Sequence, residues 1–208
     1  METKFTEQQS LTLISEMITQ ARNNFQKGRG NSMIFNGCLV ALIALANIVL
    51  IYTLSNPYHS FWIWCLMIPG SFVSAYIRKK VDKASMIKTH IDTIIGYTWV
   101  GFGCAVCILL AIILGLGLGR KIYEACLLIN PIILTMTGLA EFITAKACKF
   151  KPYFYGAIVM WTGAIGCTIL FLISNNSVVG QFLILAICMI IGFVVPGYKL
   201  NKLAEKHV

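Results

Sequence analysis

Six long, nearly uninterrupted apolar runs constrain this chain more than any other feature of its sequence. They cover 34–54, 61–77, 94–118, 122–145, 153–173 and 178–198. A helix needs roughly 20 apolar residues to cross a hydrocarbon core about 30 Å thick at about 1.5 Å rise per residue. Inside that core every backbone amide and carbonyl must be satisfied within the segment itself, so an unbroken apolar run crosses as a helix. The runs show no strict alternation of apolar and polar residues, which argues against strand-type spans. The second run is the shortest and carries Pro69-Gly70. Composition agrees: 58% of the 208 residues are hydrophobic and only 12% are charged, about half the charge of an ordinary soluble domain. The expected fold is an all-α membrane protein with six transmembrane helices, arranged as three helical hairpins.

The basic residues predict its orientation. Fifteen of the seventeen lie before the first run, after the second, after the fourth or after the sixth. The connections 55–60 and 174–177 carry none, and the remaining two, Arg120 and Lys121, lie between runs three and four. The positive-inside rule then places both termini and the 78–93 connection in the cytoplasm. Rings at Tyr52, Tyr58, Phe61, Trp62 and Trp64 cluster around the first outer turn, and Tyr97, Trp99, Tyr153, Phe154 and Tyr155 open later spans. Such rings favour the headgroup level, and packing between helices is the other reading. The same distribution explains the net charge of +9 without a nucleic-acid partner, because no soluble basic domain exists to bind one.

Three regions follow: 1–31 as a cytoplasmic helix and linker, 32–200 as the transmembrane domain, and 201–208 as a cytoplasmic tail. The N-terminal stretch lacks the charged-then-apolar order of a signal peptide. Leu11, Ile14, Ile18, Ala21 and Phe25 recur at spacings of three and four, which predicts an amphipathic helix. Such a helix lies on the inner leaflet or docks a cytoplasmic partner or a second copy of the chain. Arg78, Lys79, Lys80 and Lys83 are candidate contacts for anionic lipid headgroups.

Polar residues inside the spans are the candidates for chemistry. Glu141 lies in span four, about one and a half turns from its basic end, and an intramembrane carboxylate marks a functional site by default. It is a candidate proton-linked or cation-binding group; otherwise it reaches the interface or pairs with Lys146 or Arg78. Asn130-Pro131 lies in the other half of the same span. Proline leaves a carbonyl one turn earlier without its donor, and broken helices line substrate sites in several transporter folds; a plain packing kink is the alternative. Cys104 and Cys107 have redox spacing but lie mid-span in apolar surroundings, where they read as small packing residues. Seven of the eight cysteines fall in apolar runs, so no disulfide framework is implied. His59, His90 and His207 occupy separate connections, and neither a metal site nor a cofactor motif is present.

Two bracketing patterns suggest an internal repeat. Phe35-Asn36-Gly37 with Ser55-Asn56 surrounds the first span, and Phe154-Tyr155-Gly156 with Ser174-Asn175 surrounds the fifth. Pro69-Gly70 and Pro196-Gly197 then close the spans that follow, as parallel copies of a hairpin would. The motifs Lys149-Phe150-Lys151-Pro152 and Val195-Pro196-Gly197-Tyr198, with the leader Leu11–Phe25, resemble an uncharacterised family of small bacterial six-helix membrane proteins. The likeness covers about half the chain and implies a bacterial inner-membrane location without an activity. That family has a further glycine and a proline in the region 138–145, where this chain carries Ala140, Glu141 and Ala145. The expected role is transport of a small solute or membership of a transport assembly. The alternative is a membrane-embedded regulatory module that docks a partner through its N-terminal helix.

Overall fold

In the computed structural model of the chain, residues 30–84, 90–119, 123–174 and 177–206 are described. The amphipathic segment 11–25 lies outside them. The described residues form helices α1 (Asn31–Thr53), α2 (Met67–Ala84), α3 (His90–Leu114), α4 (Ile129–Cys148), α5 (Lys151–Ile173), α6 (Val178–Met189) and α7 (Val195–Lys206). Short 3-10 segments, Pro57–Leu66 and Tyr123–Leu128, lead into α2 and α4, and a π segment, Ile190–Val194, joins α6 to α7. Six of the resulting rods are long and apolar enough to cross a membrane, and their limits fall within a turn or two of the apolar runs. The chain thus has an all-α, multi-pass membrane fold.

Four of the six spans form the packed centre. Of the most apolar stretch of each span, 44% is buried in span six, 39% in span four and 33% in span five, against 11% in span two and 6% in span three. The core joins Ala41 and Ala44 of α1 to Leu134, Met160, Ala164, Cys167, Leu185 and Met189 of α4, α5 and α6. The most extensive packing is between α4 and α5, across the boundary between the second and third hairpins, so close association does not stop at hairpin limits. Small residues explain that closeness, since lipid tails give helices no hydrophobic drive to associate and packing must supply it. A Cβ on Gly138 would stand 2.6 Å from the Trp161 ring, and Trp161 donates its indole N–H to the Thr135 carbonyl at 3.2 Å.

Local chemistry fixes the joints. Helix α4 ends at Lys149, whose φ of 53° is left-handed. The Phe150 N–H then reaches back to the Ala145 carbonyl at 3.1 Å. Pro152 falls in the first turn of α5, where a missing N–H costs nothing. The Lys149–Pro152 motif is therefore a two-residue reversal that sets α4 and α5 side by side. The Pro196-Gly197 motif has a different role. A Cβ on Gly197 would meet the Gly30 carbonyl at 3.0 Å, and Asn201 accepts from the Gly30 N–H at 3.0 Å. The start of α1 is thereby tied to α7, which continues as helix past residue 200 to Lys206 with Leu200 and Ala204 buried.

Candidate functional site

The two sparsely buried helices stand apart from each other. Helix α2 packs on α1, helix α3 packs on α4, and α2 and α3 scarcely meet among the described residues. Between them and the core lies a cavity of about 1410 Å³, larger than the roughly 300–1,000 Å³ of a site for a drug-sized ligand. It runs nearly the length of the spans, from Arg78 and Leu200 at the end where α1 begins and α7 closes to Leu114 and Val178 at the other.

Its walls are oily. Val40, Ile133, Leu185 and Met189 come from the core helices, and Phe61, Trp64, Trp99 and Phe102 from the second and third spans. Three aromatic contacts hold the outer spans on span six. Trp64 stacks on Phe182 with centroids 5.8 Å apart, Phe61 meets the same ring at 6.1 Å, and Trp99 meets Phe193 edge-on at 5.6 Å. Phe182 and Phe193 lie about 16 Å apart along span six, given about 1.5 Å per residue. Trp64 and Trp99 thus pack between helices, whereas Tyr52, Trp62 and Tyr97 are exposed.

Polar groups collect at the end where α1 begins. The hydroxyls of Ser32 on α1 and Ser74 on α2 lie 2.9 Å apart, and the Asn36 amide donates to the Ser74 hydroxyl at 2.8 Å. Arg78, Lys79, Asp92 and Thr93 also line this end. Of the four basic residues expected at lipid headgroups, Arg78 and Lys79 stand at the cavity; Lys80 is exposed and lines no part of it. Lys83 falls in α2, with its side chain outside the described set. The arrangement can take a molecule with a long apolar body and one polar end. A hydrophilic solute would lose its water along most of the slot and regain few hydrogen bonds.

The span-four candidates do not share one site. Asn130 lines the cavity and donates to the Gln181 side-chain carbonyl of α6 at 3.5 Å. Pro131 is buried in the first turn of α4, directly after a 3-10 turn. Its missing donor is harmless there, and the irregularity precedes it. Glu141 is fully buried eleven residues further on, and does not line the cavity. Lys146, one of its expected partners, instead places its ammonium over the Phe142 and Phe154 rings, 5.4 and 5.2 Å from their centroids.

Two buried amide side chains were not singled out from the sequence. Gln181 and Asn47 are both fully buried, and Asn47 donates to the Ser60 carbonyl at 3.3 Å. Each is a single amide inside an apolar run, and that was the signal available. Cys104 and Cys107 are exposed on the outward face of α3, so they are not packing residues within this chain. No protein-family model, curated protein or solved structure matches the chain.

Proposed function

We propose that this protein binds an amphiphilic small molecule in the slot between α2 and α3 and carries it between the leaflet and the protein interior. The reading keeps the expected transport role and narrows the solute to a lipid-like one. The observation that carries it is the cavity itself: about 1410 Å³, spanning the helices, aromatic along its length and with most of its polar groups at one end. Arg78 and Lys79 at that end favour an anionic headgroup. Lateral entry passes between α2 and α3, which scarcely meet among the described residues and are the two least buried spans. The concentration of basic residues before span one and after spans two, four and six supports a cytoplasmic location for the end where α1 begins. The likeness of 149–152 and 195–198 to small bacterial membrane proteins supports an inner-membrane setting.

Gly96 offers a clean test. It lines the cavity, and a Cβ placed on it meets nothing within 4 Å. Gly96→Phe therefore obstructs the slot without touching the backbone packing. In lipid nanodiscs, dibrominated stearic acid should quench the emission of Trp64 and Trp99 saturably, and Gly96→Phe, which adds no tryptophan, should abolish the saturable part. Quenching that stays linear with bromolipid in the unmodified protein contradicts the proposal.

A further inference from the structure

Glu141 is 0% exposed, and neither of its carboxylate oxygens has a hydrogen-bond partner. Its position is defined by two glycines on other spans. A Cβ built on Gly156 of α5 would stand 2.8 Å from Glu141 Oε2 and 2.7 Å from the carbonyl oxygen of Gly192. Glu141 Oε2 and the Gly192 carbonyl oxygen therefore flank one small notch, which a side chain at residue 156 would fill. Gly192 is the middle residue of the π segment Ile190–Val194, where the Val195 N–H reaches back five residues to Ile190. Single π turns inside longer helices frequently mark functional sites.

We propose that this notch is a proton-binding site: the neutral carboxyl of Glu141 sits in it, and the ionised form turns to the cavity between Thr137 and Thr144. An ionised carboxylate in the notch would be buried without a countercharge, at a cost that favours taking up a proton instead. The titratable groups on the packed elements offer no relief. On α4, Lys146 is engaged with two rings. On α5, Tyr153 is buried one turn before Gly156 and Tyr155 is exposed. On span six, Cys188 donates to the Val159 carbonyl at 3.6 Å, and Tyr198 and Lys199 of α7 are exposed. On α3, Tyr97 is exposed and Asp92 lies at the helix start. None of these supplies a hydrogen bond to Glu141.

A proton suits the notch better than a metal cation does. One carboxylate and a carbonyl fall well short of the six or more oxygens that hard cations gather, and the described residues hold no cluster of three acidic, histidine or cysteine ligands. A proton needs one acceptor, and the Gly192 carbonyl flanks the same notch as Glu141 Oε2. The exit is equally local. Thr137 and Thr144 stand four residues before and three after Glu141, hence on the same helix face, and both line the cavity. Their hydroxyls donate within α4, to Ile133 and Ala140 at 2.7 Å each, which leaves hydroxyl oxygens to meet water or a proton carrier. The notch lies off the amphiphile slot and meets it only at Thr137 and Thr144, and the protonation of Glu141 does not require an amphiphile to bind.

Infrared spectroscopy of the full chain in nanodiscs tests this directly. At neutral pH the protein should show a carboxylic-acid carbonyl band that shifts in deuterated water and is lost in Glu141→Gln. Gly156→Ala places a methyl group in the notch and should also remove the band, because the displaced carboxyl ionises in the cavity. Absence of the band, or its survival in Glu141→Gln, overturns the proposal. Survival in Gly156→Ala overturns it as well, and that arm decides alone if Glu141→Gln does not assemble.

Discussion

Leu134→Ala probes the packed centre where the account is most specific about energy. Leu134 is 0% exposed in α4 and reaches to 3.5 Å from the point where a Gly163 Cβ would stand on α5. In a soluble core such a truncation costs about 2.7–5.0 kcal/mol. About 2.4 kcal/mol of that is the transfer of three carbons out of water, at about 0.8 each. The term vanishes here, because an unpacked α4 still lies in hydrocarbon. What remains is the void and its lost dispersion contacts, about 0.3–2.6 kcal/mol. Complete burial against a glycine-lined neighbour places the expected loss at about 1–2 kcal/mol, a factor of about 5–30 in the folding equilibrium. Reversible unfolding in bicelles titrated with a denaturing detergent measures it, with Leu172→Ala as the control because Leu172 is 75% exposed on α5. Equal losses for the two variants would refute the assignment of α4 and α5 to the core.

Two further outcomes follow from single contacts. Asn130→Leu removes the donor to Gln181 and should cost about 0.5–2 kcal/mol in the same assay; adding Gln181→Leu should restore part of it, and a further loss would show that the pair is not coupled. Lys149→Gly relieves a left-handed φ of 53° at an exposed position and should raise stability by about 0.5–1 kcal/mol, once the greater freedom of unfolded glycine is set against the relief. A decrease would mean that the Lys149 side chain stabilises the reversal.

The helices were legible because lipid leaves an apolar run no alternative, and even the second run, weakened by Pro69-Gly70, is long and apolar enough to cross once the 3-10 stretch that precedes α2 is counted. Glu141 and Asn130 were legible for the converse reason: a polar group in such a run demands an explanation. Their surroundings were not. That Glu141 meets Gly156 and Gly192 depends on how three spans cross, and glycine in an apolar run is equally consistent with packing, a bend or open lipid. Gly96, Gly101 and Gly103 of α3 have nothing within 4 Å of a Cβ, while Gly138 of α4 is filled by a tryptophan ring. No local pattern separates the two cases. The π segment was hidden too, since Ile190–Val194 has the composition of any apolar turn. The cavity belongs to no segment at all; it arises from the spacing of α2 and α3.

A high-resolution structure of the protein in lipid nanodiscs tests that spacing most directly. It should show an elongated density between α2 and α3, with its polar end beside Ser32, Asn36 and Ser74 and its chain along Trp64 and Trp99. Helices α2 and α3 packed together in the bilayer, with no space between them and the core, would contradict the account.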